Sequence, residues 1–291
     1  MADTHTGYYL PEPSHWPLTG TVGLFMTLSG LALTINGVGI GTFVMGFGFA
    51  VVVLMMVGWF GQVIGESERG LFNNQVDRSY RWAMAWFIFS EVMFFAAFFG
   101  ALFYARQYSV PWLDGQGTKL LTGELLWPDF EAVWPLLKLP DGTNFTLARE
   151  VIPAWGIPAV NTLILLSSGV TVTIAHHALK AGKRGLLIAF LALTVALGVL
   201  FIGLQAHEYH HAYSELNLKL SSGIYGATFF MLTGFHGAHV TIGATMLFVI
   251  LMRCIKGHFT PDHHFAFEGV AWYWHFVDVV WLGLFVFVYW L

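Results

Sequence analysis

HHFAFEGVAWYWHFVDVVWLGLFVFVYWL, residues His263 to Leu291, decides the fold. From Val270 onward the stretch is apolar and aromatic for long enough to cross a bilayer, because about 20 residues of helix span the hydrocarbon. It nevertheless carries His275 and Asp278. A charged side chain at bilayer depth costs about 2.5–3.5 kcal/mol on insertion scales, so such groups face protein and take partners. Standing three residues apart, the two share a helix face and can satisfy each other, imidazole as donor and carboxylate as acceptor. Trp274 and Trp281 flank them on the same side. A helix of this kind needs neighbours.

The rest of the chain supplies them. With 56% hydrophobic and only 10% charged residues, a chain of 291 residues cannot hide its apolar surface as a soluble globule. The predicted fold class is all-α, a polytopic membrane protein. A net charge of -4 is small for this length and points to no nucleic-acid partner. The single cysteine, Cys254, excludes an internal disulfide; beside Arg253 it reads as a small apolar residue.

Met1 to Ser14 is polar and lacks Lys and Arg, so no cleavable signal is expected there. Seven apolar runs follow within a single membrane domain, 1–291. Helices I and II (16–65) form a hairpin about Asn36-Gly37, with Gly61 and Gly65 as a small-residue pair open to a close neighbour. A charged inner loop (66–81) leads to helix III (82–108). A long outer loop (109–154) carries Trp112, Trp127, Trp134 and Trp155, next to or within it, and is expected to lie on the membrane surface. Helices IV to VII occupy 155–291. Helix V is expected to end at Ala206, a loop to run from His207 to Ser222, and helix VI to close at Met252.

Orientation follows from the cations. With the N-terminus (1–15) cytoplasmic, inner segments hold Arg69, Arg78, Arg81, Lys180, Lys183, Arg184, Arg253 and Lys256. Outer ones hold Arg106, Lys119, Lys138, Arg149 and Lys219, mostly in or beside the one long loop, where the positive-inside rule has least force. The expectation is N-in and C-out.

Several clusters invite a chemical reading. His207-Glu208-Tyr209-His210-His211 matches H-E-x-x-H, in which two histidines a turn apart bind zinc and the glutamate activates water. An intramembrane zinc metalloprotease using His207, Glu208 and His211 is therefore the rival from a different class. No third ligand is evident, and interfacial histidines are the preferred reading. His236 and His239 stand among Gly234, Gly237 and Ala238, where small and polar residues favour hydrogen-bonded helix packing over haem or copper ligation. The pairs His176-His177 and His263-His264 lie at membrane ends, and adjacent residues diverge on a helix, so neither pair alone is a good chelate. No metal site and no catalytic residue are expected.

Glu91 is the sharpest single position. It lies near the middle of helix III, and its turn neighbours Phe87, Ile88, Phe94 and Phe95 offer no hydrogen bond. Its carboxyl must stay protonated or find a partner on another helix, as a structural acid or a proton-handling one.

These residues also carry a resemblance. Tyr9-Leu10-Pro11-Glu12-Pro13-Ser14-His15-Trp16-Pro17-Leu18-Thr19-Gly20 resembles the start of subunit III of the haem–copper cytochrome c oxidases. Ser90-Glu91-Val92-Met93-Phe94-Phe95 is similar to the family's helix III acid segment, and Ser168-Gly169-Val170 with Ala175-His176-His177 to its helix IV. Gly226-Ala227-Thr228-Phe229-Phe230 and Gly234-Phe235-His236-Gly237-Ala238-His239-Val240 are similar to its helix VI. Phe259-Thr260 with His263-His264-Phe265, then Trp272 to Trp281, resemble the approach to its seventh helix and that helix itself. The likeness covers nearly the whole chain, in order.

The resemblance implies a two-helix group and a five-helix group around a V-shaped lipid cleft, bound phospholipids, and no redox cofactor of its own, haem and copper lying in neighbouring subunits. It implies direct contact with the catalytic subunit I, assembly with subunit II and the other oxidase subunits, and cytochrome c reached through the complex. The implied role is to hold lipid, support proton uptake and protect the active site from turnover inactivation. Glu91, Asp278 and His275 become the proton-related groups. Arg253, Lys256, His258, Thr260 and Trp59 become lipid contacts, and His236 and His239 packing residues. Departures are Gly65 where a basic residue often stands, Gly70 to Gln75 in place of a His-Thr sequence, and the histidines flanking Glu208. The long loop points to a bacterial inner membrane. A quinol-oxidising relative is the nearer alternative, disfavoured by the intact first hairpin.

Overall fold

The computed structural model describes residues 8–140 and 146–291; residues 1–7 and 141–145 of the N-terminal segment and the outer loop lie outside it. Seven helices are long and apolar enough to cross a membrane, and no strand occurs among the described residues. They are α1 (Trp16–Ile35), α2 (Gly41–Glu68), α3 (Asn74–Tyr104), α4 (Ile157–Lys180), α5 (Arg184–Ser214), α6 (Gly223–Lys256) and α7 (Phe265–Leu284). The chain divides into two compact units, Met1–Trp82 and Ala83–Leu291.

In the first unit α1 and α2 pack as an antiparallel hairpin. Asn36 Nδ2 donates to Ala32 O at 2.8 Å and closes α1, and Gly37 takes the left-handed φ of 75° that the turn requires. Contact is made backbone to backbone. A Cβ on Gly30 would strike the Met45 amide, and one on Gly48 the Thr27 amide. In lipid, where tails are as apolar as leucine, such close approach replaces the hydrophobic drive. Gly61 and Gly65, where another helix or a lipid was expected to approach, meet nothing within 4 Å in this chain; the contact glycines lie nearer the turn. At its other end Trp16 Nε1 donates to Gln62 Oε1 at 2.8 Å, and Gln62 Nε2 donates to the buried Glu66 at 2.9 Å.

The second unit is organised around α7, which packs on both α4 and α6. Trp274 is fully buried. Its ring lies 2.9 Å from where a Cβ on Gly198 of α5 would sit and 2.8 Å from one on Gly243 of α6. Its Nε1 donates to Ser168 Oγ of α4 at 2.8 Å. Two turns further, Trp281 Nε1 donates to Thr162 Oγ1 at 2.9 Å. From Ala83 on, α3 meets this core through rings: Phe87 stacks on Tyr273, Phe95 approaches Phe276, and Phe94 meets Phe235 edge-on at 5.0 Å.

Helix ends differ from the apolar boundaries in several places, among them α6, which runs to Lys256 where Met252 was the expected end. The segment 66–81, expected as a loop, is largely helical: α2 continues to Glu68, and α3 begins at Asn74, eight residues before Trp82 (82 − 74 = 8). Asn73 Oδ1 caps it by accepting the amides of Gln75 and Val76 at 3.0 Å, and Arg81 Nε meets Asp77 Oδ2 at 2.8 Å across one turn. Helix α5 runs on to Ser214, through the zinc-like motif. Hydropathy marks where a bilayer ends, whereas caps and turns mark where a helix ends. Past Tyr104 the α3 span widens into a π-type turn at Ala105–Ser109 and continues over Val110–Leu113. The outer loop then builds a small cluster on Val110, Phe130 and Leu136, against which Trp127 and Trp134 are half-buried. It is pinned where Asn217 Nδ2 donates to Leu147 O at 2.8 Å and the Arg149 amide donates to Leu216 O at 2.8 Å. Trp155 alone of the four indoles is largely exposed.

Because three helices converge on one indole, Trp274→Ala should cost about 3–5 kcal/mol, through the cavity left and the hydroxyl of Ser168 orphaned. Thermal unfolding of the detergent-solubilised protein would show it as a large fall in Tm. The exposed Val199→Ala on α5 should stay within about 0.5 kcal/mol. Equal effects would remove Trp274 from this central role.

Candidate functional site

Within the spanning helices of the second unit, four sites hold buried or half-buried ionisable side chains that are candidates for function. In the first, Glu91 of α3 reaches His239 of α6, with Oε2 and Nε2 2.8 Å apart. The other ring nitrogen, Nδ1, lies 2.6 Å from Phe235 O one turn earlier. A carbonyl only accepts, so Nδ1 carries a proton. One further proton then occupies the Glu91–His239 bond, whether it rests on oxygen or nitrogen, and the pair carries no net charge in either form. Rings enclose it: Phe95 lies 5.0 Å from the imidazole, edge to face, and Tyr273 is stacked at 6.4 Å. The partner that the local sequence around Glu91 could not offer comes from 148 residues away.

The second grouping is His275 and Asp278 on α7. Nδ1 and Oδ2 are 3.5 Å apart, a loose contact, and His275 Nε2 lies 3.2 Å from Thr173 Oγ1 of α4. Asp278 is turned inward against Gly169, where a Cβ would collide with Oδ2. His275 is not: its side chain is 45% exposed, and it opens onto a groove of about 390 Å³ walled by Leu166, Val170, Val279 and Leu282. Trp274 and Trp281 are buried, as Asp278 is, and only His275 of this set is open.

His236, the third, is fully buried. Its Nε2 donates to Val277 O at 3.2 Å, so Nδ1 is the bare nitrogen of a neutral ring, packed between Phe201 and Trp281. It bridges α6 to α7, whereas His239 bridges α6 to α3. These are helix-to-helix bonds of the kind membrane packing uses.

The fourth grouping was hidden by the zinc-like motif. Because α5 continues past Ala206, Glu208 faces the core at 1% exposure. Gln205 Nε2 donates to its Oε1 at 2.9 Å and the Tyr289 hydroxyl donates to the same oxygen at 2.7 Å. Asn161 Nδ2 approaches Gln205 Oε1 at 3.4 Å. His207 is exposed, and His211 lies 3.1 Å from Glu215. The carboxylate thus ties α5 to the π-type turn Phe285–Trp290 that continues α7, Gln205 extends the network to Asn161 of α4, and the metalloprotease alternative is not favoured. The sequence signal is Gln205 and Glu208 at i, i+3, with Glu208 expected beyond the helix end.

The expected lipid residues are dispersed by exposure. Arg253 is buried, its guanidinium 4.4 Å above the Phe259 ring, whereas Lys256 and Thr260 are exposed and His258 is half-buried. The Thr260 hydroxyl accepts from the His263 amide at 3.1 Å. Gly257, at φ 81°, ends α6, and Arg184 Nη2 donates to Ile255 O at 2.6 Å, neutralising the carbonyl end of the helix. Trp59 is exposed on α2 of the first unit. At the opposite end of the second unit, Arg106 performs the same service for the α7 span, donating to Phe287 O at 3.3 Å and to Leu291 O at 2.9 Å.

Comparison with known proteins agrees with this architecture. The family model for cytochrome c oxidase subunit III matches residues 5–116 and 127–291, leaving only 117–126 of the outer loop unmatched between them. The chain is 41% identical over 291 residues to the cytochrome c oxidase subunit 3 of Danio rerio, covering 100% of this chain and 99% of that one. It is 42% identical over 288 residues to that of Hippopotamus amphibius, covering 99% and 97%. With that of Squalus acanthias the figures are 41% over 291 residues, covering 100% and 99%. A quinol-oxidase subunit is accordingly not favoured. With seven membrane-spanning helices and this likeness along nearly its whole length, the chain belongs to the cytochrome c oxidase subunit III family, an accessory subunit that works within an oxidoreductase complex alongside the other oxidase subunits.

Proposed function

We propose that this chain is the non-redox support subunit of a proton-pumping oxidase that passes electrons from cytochrome c to oxygen. It holds phospholipid, supports proton uptake, and protects the catalytic subunit from inactivation during turnover, while haem and copper belong to its neighbours. The observation that carries the reading is the Glu91–His239 bond. Acid and base share one proton without net charge, which suits a polar tie between two helices inside a bilayer. Glu91 in this role shapes the membrane interior beside the proton path and is not an obligatory relay along it.

Direct contact with subunit I is supported by the groove at His275. A half-exposed imidazole in a spanning helix, next to a buried carboxylate, calls for protein or confined water and not for acyl chains. Subunit II and the remaining subunits complete the assembly. Lipid headgroups are assigned to the exposed Lys256 and Thr260 and to the half-buried His258 between them, with Arg253 over the Phe259 ring; Trp59 is the contact on the first unit. The distribution of Lys and Arg supports a cytoplasmic N-terminus and a periplasmic C-terminus, and the extra loop residues 117–126 support a bacterial inner membrane.

Three outcomes test this reading. Glu91→Gln preserves size and lets the amide donate to His239 Nε2, so initial oxygen turnover should stay within about twofold. An obligatory relay would lose on the order of a hundredfold or more. Val279→Trp, placed at the wall of the groove, should reduce the amount of catalytic subunit that copurifies with the chain. Normal copurification would place the interface elsewhere. Lys256→Ala with His258→Ala should lower the anionic phospholipid retained by the purified complex, since one lysine near the surface contributes about 1 kcal/mol, a roughly fivefold effect. Unchanged lipid content by mass spectrometry would reject the assignment.

A further inference from the structure

Neither His176-His177 nor His263-His264 makes a chelate by itself, but the fold takes one histidine from each pair and sets them face to face. His176 lies in the penultimate turn of α4, and His264 is the residue that caps the start of α7. Their ring centroids are 5.3 Å apart, at 63° to each other. Glu268, in the first turn of α7, joins them: one donor atom from each of the three lies within 4.8 Å of the other two. The cluster sits outside all four polar groupings already described.

Three of the four ring nitrogens in this cluster are buried and unsatisfied. Both ring nitrogens of His264, and Nε2 of His176, are shielded from solvent and make no hydrogen bond. His264 as a whole is only 9% exposed. A neutral imidazole always carries one N–H and one lone pair, so a ring with two orphaned nitrogens forgoes both bonds at once. Buried polar atoms without partners are rare in folded proteins, and an ion or water is a standard explanation when several converge. Here one ion would engage a lone pair on each imidazole, with a Glu268 oxygen in reach as a further ligand.

We propose that His176, His264 and Glu268 form a divalent transition-metal site, best suited to Zn²⁺, that clips the end of α4 to the start of α7. Two imidazoles and one carboxylate are a known zinc donor set, leaving a fourth position for water. With metal–nitrogen bonds of about 2.0 Å, tetrahedral donors stand about 3.3 Å apart, so the three must close by about 1.5 Å, within the reach of side-chain rotation. Carboxylate-rich sites favour Mg²⁺ or Ca²⁺, and this site has only one carboxylate; imidazole favours Zn²⁺ and its neighbours. Phe267, 5.4 Å from the His176 ring, supplies an apolar wall. Lys180, one turn beyond His176, is a cation that the ion must tolerate, and the charge of Glu268 offsets it. The site is structural: it fixes the separation of two helices that also hold Trp274 and His275.

The test uses the purified oxidase complex, treated with a mild chelator, then incubated with Zn²⁺ and passed through a desalting column. Zinc retained per complex is counted by mass spectrometry in the wild type, in His264→Ala, in the size-conserving Glu268→Gln, and in His177→Ala, which removes the neighbouring ring. The expected result is one zinc fewer per complex in His264→Ala than in the wild type, and no change in His177→Ala. For Glu268→Gln, Zn²⁺ affinity should fall more than about tenfold, as even outer partners of metal ligands cost this much. Added Zn²⁺ should also raise the Tm of the wild type and not that of Glu268→Gln, which keeps the fold while losing a ligand. Equal zinc retention in the wild type, His264→Ala and Glu268→Gln would overturn the site, as would a loss in His177→Ala equal to that in His264→Ala.

Discussion

Trp274 occupies space that three other helices vacate for it. Gly198 and Gly243 leave flat backbone on either side of the ring, and Ser168 takes its single polar atom. Within a bilayer this arrangement matters more than it would in water. Apolar side chains gain little by leaving lipid for protein, so helices associate where shapes fit closely and where a buried donor finds an acceptor. An indole between two glycines meets both conditions. The position of α7 against α4, α5 and α6 follows from it, and so do the placements of His275, Asp278 and His236 on the same helix.

The helix hairpin of the first unit meets the same constraint with different residues. There glycine alone brings backbones together at Gly30 and Gly48, and the outward faces of both helices remain covered with exposed apolar side chains. Helix α3 uses a third device. Its phenylalanines hold it to α6 and α7 at the length of a ring, and Glu91–His239 is the polar bond across that aromatic layer. A charge at this place would be costly. Sharing one proton between carboxyl and imidazole keeps the bond strong and the pair neutral, which is why an acid is tolerated at this depth.

Polar groups at the helix ends follow a further logic. Arg184 closes the carbonyl end of α6 and Arg106 that of the α7 span, each from a different part of the chain. Cations counted for orientation therefore also serve as caps, consistent with the favourable field of a helix C-terminus. Arg253 is drawn inward over Phe259 and leaves the surface to Lys256. Position along the sequence locates such residues near the membrane boundary, but their direction is decided by the ring or carbonyl that lies within reach.

The sequence by itself determined the seven spans, their order, the first hairpin at Asn36-Gly37 and the family, because apolar length and long ordered motifs are local properties that no tertiary contact can erase. It also singled out Glu91, since an acid among phenylalanines needs a partner whatever the fold. It could not name His239 as that partner, nor gather His176, His264 and Glu268, because those choices rest on which helices touch and how each is rotated. It misread Glu208 for a related reason. The polar run after Ala206 looks like the end of helix V, whereas α5 continues to Ser214 and turns the carboxylate inward to Gln205 and Tyr289. Hydrophobic length follows from transfer free energy, residue by residue. Pairing follows from close packing, which only the assembled helices decide.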